Sequence, residues 1–289
     1  MILKDVNSYN KYINFLEKLF KLKLIYFLPK YLRRKMLKRI VHPFIYTDLK
    51  VLPNHYYPII HSLKEQKIKY KRFQIDKKQG SFMTYPQLLA LLESLFDNSK
   101  TFSFLDFGGE QIDFYLDLKN KFPYVNYFIY NQSEIIENLK TIKNEYNLKN
   151  LNLISEYNEI FNNKYDFINF GSAIQYIKDY KILLNNLINK ANRFIFFSAT
   201  HLYESKIVKQ SNYAEKIVAK QVNLIPKILY CYFFNKKEFY DNFLKKNFDL
   251  IFEKKNKTDN INYKNFERIV RRLIIQIFCL KKIDMQITK

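Results

Sequence analysis

Four glycines occur in 289 residues, where ordinary usage of about 7% would give roughly twenty. In so depleted a chain a glycine marks a position where a Cβ is not tolerated. Gly108 and Gly109 directly follow Asp106 and Phe107 at the end of one apolar run, and Gly171 closes another, just before Ser172. A carboxylate with paired glycines at one strand end, facing a Gly-Ser step at a second, suits a nucleotide-like ligand: the backbone can approach it closely. The alternative is a pair of tight strand-to-helix turns with no ligand. His201, in SATHLYES beyond a third apolar run, is the candidate general base if the chemistry needs a hydroxyl proton removed; otherwise it is an exposed loop histidine. His42, His55 and His61 show no metal-ligand spacing, and Cys231 and Cys279 stand alone without a CxxC pair. No metal site and no disulfide framework is expected, which fits a reducing cytoplasm.

The elements that would position these residues follow from pattern. Residues 7–41 read as two helices broken at Pro29, and residues 42–62 as an irregular connector with three prolines and three histidines. A helix is expected over Tyr85–Phe96, with Pro86 in its first turn. Strand and helix then alternate. Strands are expected at Thr101–Phe107, Val125–Tyr130, Leu151–Ile154, Tyr165–Phe170 and Arg193–Ser198. Helices are expected near Ser133–Tyr146 and Tyr180–Lys190. The strand runs are apolar throughout, as in a parallel sheet covered on both faces. A helix at Lys236–Lys246, a strand at Phe248–Glu253 and an extended basic run near Phe266–Ile275 would complete it. The expected fold is α/β and Rossmann-like, a mostly parallel seven-stranded sheet over residues 76–289, preceded by a basic helical extension and connector over 1–75.

The segment FLDFGG, followed some sixty residues later by GSAIQYI, resembles a branch of the class I S-adenosylmethionine (SAM)-dependent methyltransferases found in bacterial cell-envelope and surface-polysaccharide gene clusters. The similarity covers about residues 80–255. It includes Ser172, Gln175 and Tyr176 of the S-x-x-Q-Y segment, then Gln221, Val222, Pro226, Tyr230 and Tyr232. It implies SAM as cofactor, with Gly108 and Gly109 beside its methionine part and Asp106 organising its amino group. Asn131, ending the second strand, would meet the ribose, with Gln132 beside it also in the cofactor site, and Gly171 and Ser172 would flank the sulfonium. Gln175 and Tyr176 are the candidate substrate residues. Glu110 and Ile112 stand where the family has small residues, and Asn131 stands where its second strand ends in an acid. Two functions stay open: O-methylation of a glycan or lipid-linked sugar, or a catalytically degenerate Rossmann module acting as a membrane-peripheral scaffold.

A net charge of +22 accompanies 48% hydrophobic and 18% aromatic residues, so the chain is folded rather than disordered. Much of the charge is lysine, consistent with compositional drift. Arginine is different: of eight, Arg33, Arg34, Arg39, Arg268, Arg271 and Arg272 lie in two terminal stretches. These ends read either as solvated faces or as an anchor on anionic membrane. No nucleic-acid motif appears, and no apolar run approaches the ~20 residues that span a bilayer. The expected location is cytoplasmic, peripheral to the inner face of the membrane if the basic ends bind it.

Overall fold

The structure of the chain, a computed structural model, describes residues 44–47, 49–53, 62–78, 85–110, 112–205, 215–221, 229–244, 248–255 and 270–283, with isolated positions at 15, 18 and 29. The two helices expected over 7–41 fall almost wholly outside these residues, as do Gly80 and Arg268.

The expected strands form, with small shifts: β2 (Ser103–Phe107), β3 (Asn126–Tyr130), β4 (Leu151–Ile154), β5 (Tyr165–Gly171) and β6 (Ala191–Ser205). Two later strands, β9 (Phe248–Lys255) and β10 (Val270–Lys282), join them. The order β4-β3-β2-β5-β6-β10-β9 is parallel except for β10, which runs antiparallel to both neighbours. This is the seven-stranded Rossmann-like sheet of the class I methyltransferase fold. The basic C-terminal run does not close the sheet at its edge. β10 inserts between β6 and β9, so chain order and sheet order part there.

Helices cover both faces, which is why the strands carry no polar alternation. Phe104, Tyr127, Phe167, Phe194 and Phe196 pack on one face, with α2 (Pro86–Leu95), α3 (Asp113–Lys121) and α4 (Ser133–Glu145). Leu105, Phe107, Ile168, Phe170 and Phe197 pack on the other, with α5 (Tyr180–Lys190) and α6 (Lys236–Leu244). Aromatic rings stack across strands, Phe104 on Phe167 at 5.2 Å and Phe170 on Phe197 at 5.0 Å. Such pairs add to what their burial alone contributes. At the opposite end of the sheet from the glycines, Asp166 accepts hydrogen bonds from the Ser103 amide and hydroxyl at 2.8 and 2.9 Å and from Asn192 at 3.2 Å. It ties the starts of three strands together.

Three features depart from the sequence reading. The connector contributes β1 (Phe44–Tyr46), and helix α1 (Leu63–Lys78) spans the boundary expected at 75–76. α1 packs against α4 through Tyr70 stacked on Tyr146 at 3.9 Å and an ion pair of Lys67 with Glu145. β7 (Lys216–Gln221) and β8 (Leu229–Asn235) then extend the sheet as β1-β7-β8-β6. This extension exists because β6 runs on to Ser205, seven residues past its expected end. Its first part pairs with β5 as far as Ser198, and Leu202 and Tyr203 pair with β8 along the same edge. Among the described residues no helix is long and apolar enough to cross a membrane.

Candidate cofactor and substrate cavity

The sheet order reverses between β3-β2 and β5-β6, and a cavity of about 840 Å³ opens at the C-terminal ends of β2 and β5. That crevice is where open α/β sheets bind ligands. Asp106, Gly108, Gly109, Asn131, Gln132, Gly171, Ser172 and Tyr176, all singled out in the sequence, line it.

Asp106 is the electrostatic centre. Only 7% exposed, its carboxylate accepts hydrogen bonds from the Tyr127 hydroxyl at 2.9 Å and the Asn169 amide at 2.8 Å. Burial pushes its pKa up to about 6, against the pull of those two donors. Tyr127 is held protonated, its pKa raised first by burial and then by Asp106. Asn169 keeps its Oδ1 buried with no partner among the described residues.

The glycines serve neighbours inside the protein before any ligand. Gly108 has φ +83°, and a Cβ there would lie 2.6 Å from the Ala173 Cβ. A Cβ on Gly109 would lie 2.5 Å from an Asp106 carboxylate oxygen. Ala173 and Asp106 thus require glycine at these positions, whatever the cavity holds.

Asn131 is also explained by its surroundings. Its Nδ2 donates to the Gly109 carbonyl at 2.9 Å and its Oδ1 accepts from the Gln132 amide at 2.8 Å. One partner is an acceptor and the other a donor, so the amide orientation is determined and a carboxylate could satisfy only one of them. The side chain braces the glycine turn against the end of β3.

Opposite, Ser172 and Ala199 hold left-handed backbone, φ 60° and 49°. For non-glycine residues each such conformation costs roughly 1–2 kcal/mol, and such strain gathers at functional sites. Gln175, fully buried, restrains both: its Nε2 donates to the Ser172 carbonyl and hydroxyl at 2.9 Å and reaches the Ala199 carbonyl at 3.5 Å. Gln175 thus lies behind the cavity wall as a brace and does not face a substrate. Tyr176 does line the cavity, with its hydroxyl donating to Gln221 at 2.6 Å.

His201 is a correction. It lies inside β6, not in a loop, and is 4% exposed. Its ring stacks on Phe233 at 4.8 Å, meets Phe44 edge-on at 4.9 Å and sits 6.3 Å from the Tyr176 ring. It does not line the cavity, and burial lowers its pKa to about 3. A base this weak and this enclosed does not take a substrate proton near neutral pH.

Sequence reasoning missed several lining residues. Tyr85, Pro86 and Gln87 bring the start of α2 over the opening, and no side chain caps that helix. Burial raises the Tyr85 pKa, and the nearby Asp106 and Asp113 raise it further, so its phenol stays protonated. The one available signal was Asn169, a polar residue in the apolar run YDFINF. Among the described residues, the charged side chains lining the cavity are Asp106, Glu110 and Asp113. No Lys, Arg or His joins them.

No protein-family profile and no curated protein sequence matches the chain. Similar solved structures include the N-terminal domain of EvdMO1 with SAH bound, at 10% identity and TM-score 0.47, covering 70% of this chain and 85% of that one. A SAM-dependent methyltransferase from Clostridium acetobutylicum is 13% identical with TM-score 0.46, over 74% of this chain and 99% of that one. The O-methyltransferase of a Brevibacillus brevis trans-AT PKS multienzyme, in complex with S-adenosyl-L-homocysteine (SAH), is 15% identical with TM-score 0.49, over 82% and 84%. Strand order and direction define the fold without these likenesses.

Proposed function

We propose that the chain is a SAM-dependent methyltransferase. The observation that carries this is a cavity at the sheet's switch point whose charged lining is wholly acidic, in a chain of net charge +22. SAM brings a sulfonium and an ammonium, and an acidic lining suits a cationic ligand better than a phosphate-bearing one. When bound, SAM supplies an activated methyl group, so the protein need only orient it and its acceptor. Asp106 would receive the ammonium beside the Gly108-Gly109 turn. Ser172 and Tyr176 border the side from which an acceptor would approach.

The resemblance of FLDFGG and GSAIQYI to methyltransferases of envelope polysaccharide clusters supports a sugar hydroxyl as acceptor, free or lipid-linked. With His201 enclosed, the carboxylates of the lining are the groups left among the described residues to take its proton. Calorimetric titration of the purified chain with SAM and SAH tests the reading. Saturable binding of both is expected. No heat at about 1 mM ligand, a limit of about 4 kcal/mol, from a cooperatively folded sample would overturn it in favour of the scaffold.

A further inference from the structure

We infer that Gln221, on the β1-β7-β8 extension, is a positioning residue for the methyl-accepting substrate, and that it acts through Tyr176 to select a polyhydroxylated one. The inference rests on the SAM reading of this cavity. Tyr176 lines the cavity, and its hydroxyl has given its only hydrogen to Gln221 at 2.6 Å. A phenol has one O–H and two lone pairs, so toward anything in the cavity this hydroxyl can only accept. The ring is fixed as well, packed against the extension's apolar cluster of Phe44, Ile217 and Phe233. The loop that carries it is held a second time at Lys178, whose carbonyl accepts from the Tyr232 hydroxyl at 3.4 Å, while that hydroxyl accepts from the Leu52 amide at 3.2 Å. Gln221 and Tyr232 both belong to the late stretch singled out in the sequence, and neither lines the cavity. They reach the site through the loop after β5.

The chemistry of the substrate follows. An accept-only phenol beside the acidic lining of Asp106, Glu110 and Asp113 favours a neutral ligand rich in donors over a carboxylate or a phosphate. The hydroxyl that donates to Tyr176 is not the one that is methylated. The reacting oxygen makes its new C–O bond with a lone pair, the S–C bonding pair stays on sulfur, and the displaced proton goes to a carboxylate of the lining. A second hydroxyl of the same molecule donates to Tyr176, which the reaction leaves unchanged. The substrate therefore carries at least two hydroxyls, one to react and one to be read.

The experiment measures transfer of labelled methyl from SAM, by the full chain, to neutral methyl hexopyranosides and their monodeoxy derivatives. Glucuronate is the anionic control, and calorimetry with SAH runs alongside. Wild type should methylate a neutral glycoside and not the carboxylate of glucuronate. Removing one non-reacting hydroxyl should lower its kcat/KM by about 3- to 10-fold, the scale of one neutral hydrogen bond. Gln221→Met frees the Tyr176 hydrogen; it should lose as much on the intact glycoside, be indifferent to that missing hydroxyl, and bind SAH as wild type does. Gln221→Glu, whose carboxylate can only accept, should recover most of the loss. Tyr176→Phe combined with Gln221→Met should be no slower than Tyr176→Phe alone, because the glutamine acts only through the phenol. Additive losses in that pair, or a Gln221→Met protein that still senses the missing hydroxyl, overturn the inference. If Gln221→Met does not fold, Tyr176→Phe decides: sensing the hydroxyl as wild type does overturns it, and losing that sense upholds it. An SAH-binding wild type that methylates the carboxylate, or no neutral glycoside at all, also overturns it and leaves the cofactor reading standing. A folded wild type that binds neither SAM nor SAH removes both.

Discussion

Replacing Asp106 with Asn should make the protein more stable and a poorer binder of SAM. The wild-type carboxyl has its pKa pushed up to about 6, from 3.8, by burial. A raised carboxylate pKa means the folded state holds its proton after the unfolded chain has released it. Stability therefore falls as pH rises from about 4 to about 6, and the loss persists above that. About two pH units at 1.36 kcal/mol each gives roughly 3 kcal/mol. An Asn carries no such loss, and it can keep both hydrogen bonds. Its Oδ1 accepts from Tyr127, and its Nδ2 donates to Asn169 once that amide turns its unpartnered Oδ1 inward. Urea unfolding of both proteins at several pH values measures the difference. Asp106→Asn should gain up to about 3 kcal/mol at pH 7.5 and nothing near pH 3.5. Its affinity for SAH should drop about 10- to 150-fold, the loss of a charge-assisted bond to the ammonium. A variant no more stable than wild type at pH 7.5, or equally stabilised at both pH values, would refute the argument that burial strains this carboxylate.

Gly109→Ala sets a Cβ within 2.5 Å of the Asp106 carboxylate, so it should cost about 1–3 kcal/mol by overpacking and weaken SAH binding by displacing that group; thermal melting and calorimetry check both. Gln175→Leu removes the donor that holds Ser172 and Ala199, and should lower stability by roughly 1–3 kcal/mol and kcat more than the cofactor KM; unchanged kcat would dismiss the brace. The basic ends should hold the protein on vesicles containing acidic lipid, with flotation that weakens at high salt. Equal flotation after removal of residues 1–41 would count against the N-terminal segment as anchor.

The sheet was legible because burial on both faces leaves a plain mark, strands apolar at every position, and because a glycine-poor chain advertises its turns. Asp106, Gly108 and Gly109 were found for that reason. β6 was cut short because Ser198, Ala199 and Thr200 look like the start of a loop, whereas β10 and β8 carry the strand onward by pairing from both sides. His201 was misread with it: no local pattern tells a loop histidine from one enclosed by rings brought in from β1 and β8. The brace that Asn131 makes was hidden because its acceptor, the Gly109 carbonyl, comes beside it only once β2 and β3 lie side by side.

Asp106 and His201 are both buried and both perturbed by burial, but their linkages to pH have opposite signs. Burial raises the acid to about 6 and lowers the base to about 3. His201 stays neutral in the folded state while the unfolded chain takes up a proton below about 6.5. Its contribution to stability is thus present above 6.5 and is lost as pH falls toward 3. Asp106 acts the other way between about 4 and 6. Over that shared window each contributes a slope of about 1.4 kcal/mol per pH unit, one rising and one falling. In wild type the two offset, so its pH profile understates both. Asp106→Asn should expose the histidine and lose stability steeply below pH 6. His201→Phe, which keeps a ring against Phe233, should expose the acid and gain stability as pH falls, and any methyltransferase activity should survive it. The double variant should return to the shallow slope of wild type, because the other titrating groups are common to all four proteins. Four unfolding series from pH 4 to 7 decide the matter: identical slopes in all four would mean that neither group is perturbed as its burial requires.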